Sequence, residues 1–392
     1  MIGKFFYLLA IFSIILLVPI LPADASTNPN LSVSAENSQF DNHFSGSMVV
    51  EVVIRDNNIR DTDEGKGEPD VTLNGNALRM IQATDGNWYA YFANVDKAKI
   101  ADSTVGLDGK GLDFGVFCSR DTSPSVFGIS LSETDGFSVP HSDGILGSSN
   151  GNSSFNQCTG TPNNSNSLNN VVRNSKSINT NPAVPSGQIG LDQNAWPLIQ
   201  LFSFNDVTIQ YNAAGGSQRV ELEYDEIPNI VLSNDRDLYP QNSEVFVTVN
   251  DIQLNQDPTD EDSWTFNVVS PITTFYQAFD DDGKQSADDT AGLVNLIPHL
   301  SSLGFDNNGS FTVDLDSVIE LRSNSNQNDQ TSVDDGSSPF DDFPQIVTLV
   351  EKGPNSGIFE SFDFNDQSTI GIEQNASRGK TGVITYNEDS IS

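Results

Sequence analysis

The sequence predicts an all-β protein of two tandem β-sandwiches carrying polar loop insertions. Short alternating apolar and polar runs, separated by turn residues, fill the chain with hardly any helical periodicity. Two long segments are near-copies: FNDVTIQYNAAGGSQRVELEYDE from Phe204 to Glu226, and FNDQSTIGIEQNASRGKTGVITYNED from Phe364 to Asp389. An earlier pair repeats the same relation, SMVVEVVIRDNNIRD from Ser47 to Asp61 against SEVFVTVNDIQLNQD from Ser243 to Asp257. Each of these strands delivers an acid (Asp56, Asp251), an apolar residue three further on (Ile59, Leu254), and then another acid. Self-similarity at this spacing reads as tandem modules laid end to end.

Residues 1–25 read as an export signal. Lys4 supplies the positive start, Phe5 to Leu21 is continuously apolar, and Ala23-Asp24-Ala25 fits a small-residue cleavage site before Ser26. At 17 residues the apolar run is only marginally long enough to span a bilayer, so an uncleaved anchor is the minority alternative and no membrane span is expected after cleavage. The protein is expected outside the cell.

The first sandwich is expected over residues 26–226. Its strands are Met48 to Ile54, Val71 to Leu73, Trp88 to Ala93, Leu112 to Cys118, Ile199 to Phe204, Val207 to Tyr211 and Val220 to Tyr224, divided by turns such as Asn74-Gly75 and Asp85-Gly86. Residues 147–187, rich in Ser, Asn, Gly and Pro, read as a long surface insertion. Cys118 and Cys158 form an even pair that suits an oxidising exterior. A disulfide between them would close a loop of about 40 residues, stabilising by roughly 3–4 kcal/mol.

The second sandwich is expected over residues 227–392, with Pro228 making the junction short and extended. Strands are expected at Glu244 to Val249, Trp264 to Val269, Thr274 to Ala278, Phe311 to Leu315, Val318 to Leu321, Ile346 to Glu351, Gly357 to Phe362 and Val383 to Tyr386. A polar insertion covers 323–338, and the one helical turn expected lies around Ala291 to His299.

The formal net charge is −36, with a pI near 4.1. A field of that sign repels phosphate backbones, which excludes nucleic acid, and it gathers cations instead. The acids crowd into the loop after each repeated strand. The first holds Asp56, Asp61, Asp63, Glu64, Glu68 and Asp70; the second holds Asp251, Asp257, Asp260, Glu261 and Asp262. Calcium takes six to eight oxygens from such loops, so these acids, Glu68 and Glu261 apart, are the candidate ligands. Solvated acidic loops are the competing reading.

An enzyme is not expected. Gly147-Ser148-Ser149-Asn150-Gly151 fits G-x-S-x-G but has no strand-to-helix context. His43, His141 and His299 lack metal-ligand spacing. Trp88, Trp196 and Trp264 are read as core rather than sugar platforms. Sequons at Asn30, Asn152, Asn163, Asn308 and Asn375 are candidate glycosylation sites.

Four long runs carry a family likeness. They are Met48 to Gly75, Asp85 to Ser119, Tyr224 to Phe266, which includes YDEIPNIVLSNDRDLYP, and Val350 to Ser361, VEKGPNSGIFES. Together they resemble the surface-layer proteins of ammonia-oxidising archaea, the thaumarchaeal group, over most of the chain outside the two insertions. The resemblance implies a secreted, glycosylated array of immunoglobulin-like domains that self-associates as a paracrystalline coat. It also implies divalent cations at acidic loops and ammonium enriched as a diffuse counter-ion. Members of that family are usually several times longer, and this chain matches the front of their plan. The expected function is therefore a structural lattice subunit, or part of one. The alternative is a secreted adhesin or surface binding module that forms no lattice.

Overall fold

A computed structural model describes residues 29–105, 112–120, 130–139, 171–181, 196–269, 272–278, 294–305, 309–322, 345–361 and 368–392. The export signal (1–25), the insertion at 323–338, Cys158, and the sequons at Asn152, Asn163 and Asn308 lie outside them. The architecture is all-β and sandwich-type.

A seven-stranded sheet runs in the order Leu31–Val33, Val50–Ile54, Trp88–Asn94, Ile199–Phe202, Gly136–Val139, Val116–Cys118. Ile81–Gln82 pairs beside Trp88–Asn94. A five-stranded sheet runs His43–Phe44, Gly216–Tyr224, Asp206–Ala213, Val71–Leu73, Asn76–Ala77. The second half holds a six-stranded sheet: Val231–Asn234, Val247–Asn250, Ile358–Glu360, Ile346–Glu351, Ser263–Asn267, Thr273–Tyr276. Phe311–Val313, Ile384–Tyr386 and Asp389–Ile391 make a three-stranded sheet there, and Ile319–Leu321 pairs with Ile370–Ile372. Among the described residues every strand pairing stays within one half of the chain.

Trp88–Asn94 is buried at every position, because its sheet is covered on both faces. Trp88, Ala90 and Phe92 point into the core shared with the five-stranded sheet. Tyr89, Tyr91 and Ala93 point the other way, into a cluster that continues into the second half through Leu254, Trp264 and Phe266. Side chains alternate across a strand, so a run apolar at both parities is what a doubly covered strand requires.

Three expectations need correction. A helix, Val95–Asp102, follows the central strand. The Asn94 side chain caps it by accepting from the Asp96 and Lys97 amides at 3.1 Å, and Val95, Ala98 and Ala101 form its buried stripe. Its eight residues are too short to raise a periodic signal against the preceding alternation. The helical turn expected at 291–299 falls later, as a 3₁₀ turn at Ile297–His299 running into Leu300–Leu303. Within the presumed surface insertion, Val171, Val172 and Ile178 are buried, and Ile178 bridges to Ala83. That part of 147–187 is a structural segment, held by apolar anchors that its polar surroundings conceal.

The two halves meet through buried contacts. Ile252, fully buried, joins the apolar cluster of the first half. The Val49 amide donates to the Gln256 carbonyl at 3.1 Å, and Ser47 Oγ donates to Gln256 Oε1 at 2.6 Å. Asn355 Nδ2 donates to the Ser34 carbonyl at 2.8 Å. Gly46, with φ +60°, lets the backbones close: a Cβ there would collide with the Leu303 carbonyl.

Candidate functional site

The two repeated strands end on the same construction. In the first half, Asp56 Oδ1 accepts the Asn58 amide at 2.9 Å, and Oδ2 accepts the Tyr211 hydroxyl at 2.8 Å. In the second, Asp251 Oδ1 accepts the Gln253 amide at 2.9 Å, and Oδ2 accepts the Tyr386 hydroxyl at 2.7 Å. Three residues beyond each acid the chain turns back, Ile59 to Asp56 and Leu254 to Asp251. The freed carbonyls of Ile59 and Leu254 then accept the indole N–H of Trp88 (2.9 Å) and Trp264 (2.7 Å). Both tryptophans are buried.

The structure matches the repeat differently from the order of its residues. Tyr224 and Tyr386 each stand just before the acids that close the two near-copies, yet Tyr224 donates to the Gly46 carbonyl and Tyr211 fills the Tyr386 role. Asp206–Ala213 and Gly216–Tyr224 form a hairpin. Their counterparts, Ile370–Ile372 and Ile384–Tyr386, pair with different strands. The likeness is therefore local: an acid, a tyrosine, a tryptophan and a turn, set in sheets of different order.

Beyond the hub, the first loop stays open. Asp61 Oδ1 accepts the Asp63 amide at 2.9 Å and the Glu64 amide at 3.2 Å, and these bonds hold its carboxyl below the usual range. Asp63 accepts Asn181 Nδ2 at 3.3 Å, Glu64 pairs with Lys66 at 2.6 Å, and Asp70 accepts Asn212 Nδ2 at 3.0 Å. Glu68 turns away to clasp Arg79 through both oxygens, at 2.8 and 2.6 Å.

The second loop closes around a cation from the other half of the chain. Arg173 donates from Nη2 to Asp262 Oδ1 at 2.7 Å and to the Glu261 carbonyl at 3.0 Å, and from Nη1 to the Tyr276 hydroxyl at 2.7 Å. Its amide donates to Asp257 Oδ2 at 2.7 Å, and Asp260 lies 3.6 Å from Nε at the rim. Tyr276 donates onward to Asp262 Oδ1 at 2.7 Å. Asp262 Oδ2 also accepts the Gln256 and Asp257 amides, and the Asp262 amide donates to Glu351 Oε2 at 3.2 Å. Glu351 Oε1 in turn accepts the Ser356 and Gly357 amides at 2.7 and 2.8 Å.

Two buried carboxylates, Asp257 and Asp262, thus share one guanidinium, and Glu351 stands behind them on the Asp262 amide. Burial pushes the Asp257, Asp262 and Glu351 carboxyls up, with like charge adding at Asp257 and Glu351; Arg173 pulls the two aspartates back. Burial also opposes the charge on Arg173, but Tyr276, Asp262 and Asp257 more than offset it, so the guanidinium stays protonated. The arrangement is a charge-assisted clamp with near-complete hydrogen bonding, suited to fixing two bodies together.

Of the nine acids expected to bind metal, the structure gathers Asp257, Asp260 and Asp262 around Arg173 and keeps Asp61, Asp63, Glu64 and Asp70 along an exposed turn. Asp56 and Asp251 sit in the two hubs. Among the described residues no three acidic, histidine or cysteine side chains converge to hold a metal ion. Sequence reasoning missed Arg173, Tyr276 and Glu351. The available signal was Val171-Val172-Arg173, an apolar pair and a cation inside an Asn/Ser-rich stretch.

Cys118 is buried and disulfide-bonded. Asn30 is half-buried and Asn375 exposed. No helix among the described residues is long and apolar enough to cross a membrane. No protein-family model and no curated protein matches the chain.

Proposed function

We propose that the chain is an exported structural protein, a subunit of a cell-surface lattice or part of one, built of immunoglobulin-like sandwiches. The observation that carries this reading is the junction. Ile252 enters the first-half core, and Arg173 is clamped by second-half acids, so the two halves act as one stiff strut. A junction fixed by buried contacts of this kind serves a coat, in which slack between modules would blur the repeat. The large negative charge adds a surface that holds cations, ammonium among them, diffusely. Exposed Asn375 is a candidate site for a glycan.

Negative-stain images of native envelopes test the reading. A periodic lattice labelled by antibody to this chain is the expected result. Scattered single copies would replace the coat with an adhesin.

A further inference from the structure

The lattice reading needs a contact by which one copy meets the next, and one surface of the second half is built for it. A groove of about 580 Å³ opens between the segment after Val231–Asn234 and the segment 376–382. Its floor is apolar, with Ile319 and Ile384 buried beneath it. Leu238 stands on the rim 87% exposed, the most exposed large apolar side chain among the described residues. Arg378 and Lys380 line the opposite wall, both exposed, and neither forms an ion pair among the described residues. Asp237 is the one acidic side chain facing them in the lining. On a chain with 54 acids and 18 bases, two unengaged cations beside an open apolar floor mark a place for an acidic partner.

Building on the proposed coat function, we infer that this groove docks the Asp61–Glu64 turn of a second copy of the chain. Three acids fall within the four residues of that turn, and all three are exposed. Asp61 already ties the Asp63 and Glu64 amides, so the turn needs little ordering on docking. Asp63 and Glu64 then face Arg378 and Lys380 across the groove. Turn and groove lie in different halves of the chain. One copy's groove can therefore receive the next copy's turn, and repeated head to tail the contact links many copies.

Sedimentation velocity of the full chain tests this. Wild-type chain self-associates, and the association weakens as salt rises. The pair Arg378→Glu and Lys380→Glu weakens it by at least about tenfold, as does Asp63→Lys with Glu64→Lys. All four positions are exposed, and unchanged melting confirms that each variant is folded. Mixing the two variants restores association to within about threefold of wild type. A wild-type chain that stays monomeric, a reversal without effect, or a mixture that fails to recover each overturns the proposal. A lattice in native envelopes beside an inert reversal would discard the groove and keep the coat. Recovery in the mixture without any lattice would do the opposite.

Discussion

Asp56 and Asp251 accept the same two bonds, a turn amide and a tyrosine hydroxyl, yet their surroundings drive them in opposite directions. Asp56 is buried too, at 6% exposure, and desolvation is the largest single influence on it, but the bonds from Asn58 and Tyr211 together outweigh it, so its carboxyl lies below the usual range. Asp251 is fully buried beside the junction, and desolvation outweighs its bonds from Tyr386 and Gln253, pushing it up to about 6. The same contrast extends along the two loops. The first runs out into solvent as an acidic turn, whereas the second folds back under Arg173. A repeated motif therefore fixes hydrogen bonds, while the depth of packing around it sets how tightly its acid holds a proton.

Removing the cation that closes the second loop should have the largest effect. Arg173→Met leaves Asp257 and Asp262 buried without their partner and should cost roughly 3–5 kcal/mol in urea unfolding. Arg79→Met frees Glu68, whose side chain is 20% exposed and still accepts the Met80 amide, and should cost less. Equal losses at the two positions would remove the distinction drawn between the loops.

Acid titration sharpens the comparison next. Asp251 binds its proton more tightly folded than unfolded, so its contribution favours folding as pH falls from about 6 towards 3.8 and is lost on the way up. A shift from 3.8 to about 6 corresponds to about 3 kcal/mol. Asp257, Asp262 and Glu351 add in the same sense. Asp56 works the other way: its contribution is present above pH 3.8 and disappears as pH drops through its lower folded value. Urea midpoints measured from pH 4 to 7 should therefore rise on acidification in wild type. The rise should be smaller in Asp251→Asn and undiminished in Asp56→Asn. A wild-type profile that is flat between pH 4 and 7 would contradict this.

The smallest effect separates the two tyrosines. Tyr386→Phe strands a buried carboxylate oxygen and should cost about 2 kcal/mol. Tyr211→Phe leaves Asp56 still bonded to Asn58 and nearer to water, and should cost about 1 kcal/mol or less. The ratio of the two losses, read from thermal melts, measures how much burial adds to one shared hydrogen bond.

The chain order of apolar and polar residues determined the all-β character, most strand positions and the recurrence of Asp56 and Asp251, because alternation and turn chemistry act over a few residues. It also placed Trp88 and Trp264 in the core. Pairing partners were another matter. Ile370–Ile372 and Ile384–Tyr386 carry the written signature of a hairpin but join other strands, since local pattern sets strand formation and not register between distant segments. Arg173 lies more than eighty residues before Asp257 and Asp262 in the chain, and burial of all three depends on contacts that no short window contains. Only the tertiary structure turned one of two similar acidic loops into a clamp and left the other open. Desolvation is a property of everything packed around a charge, and a charge's own sequence neighbours supply little of it.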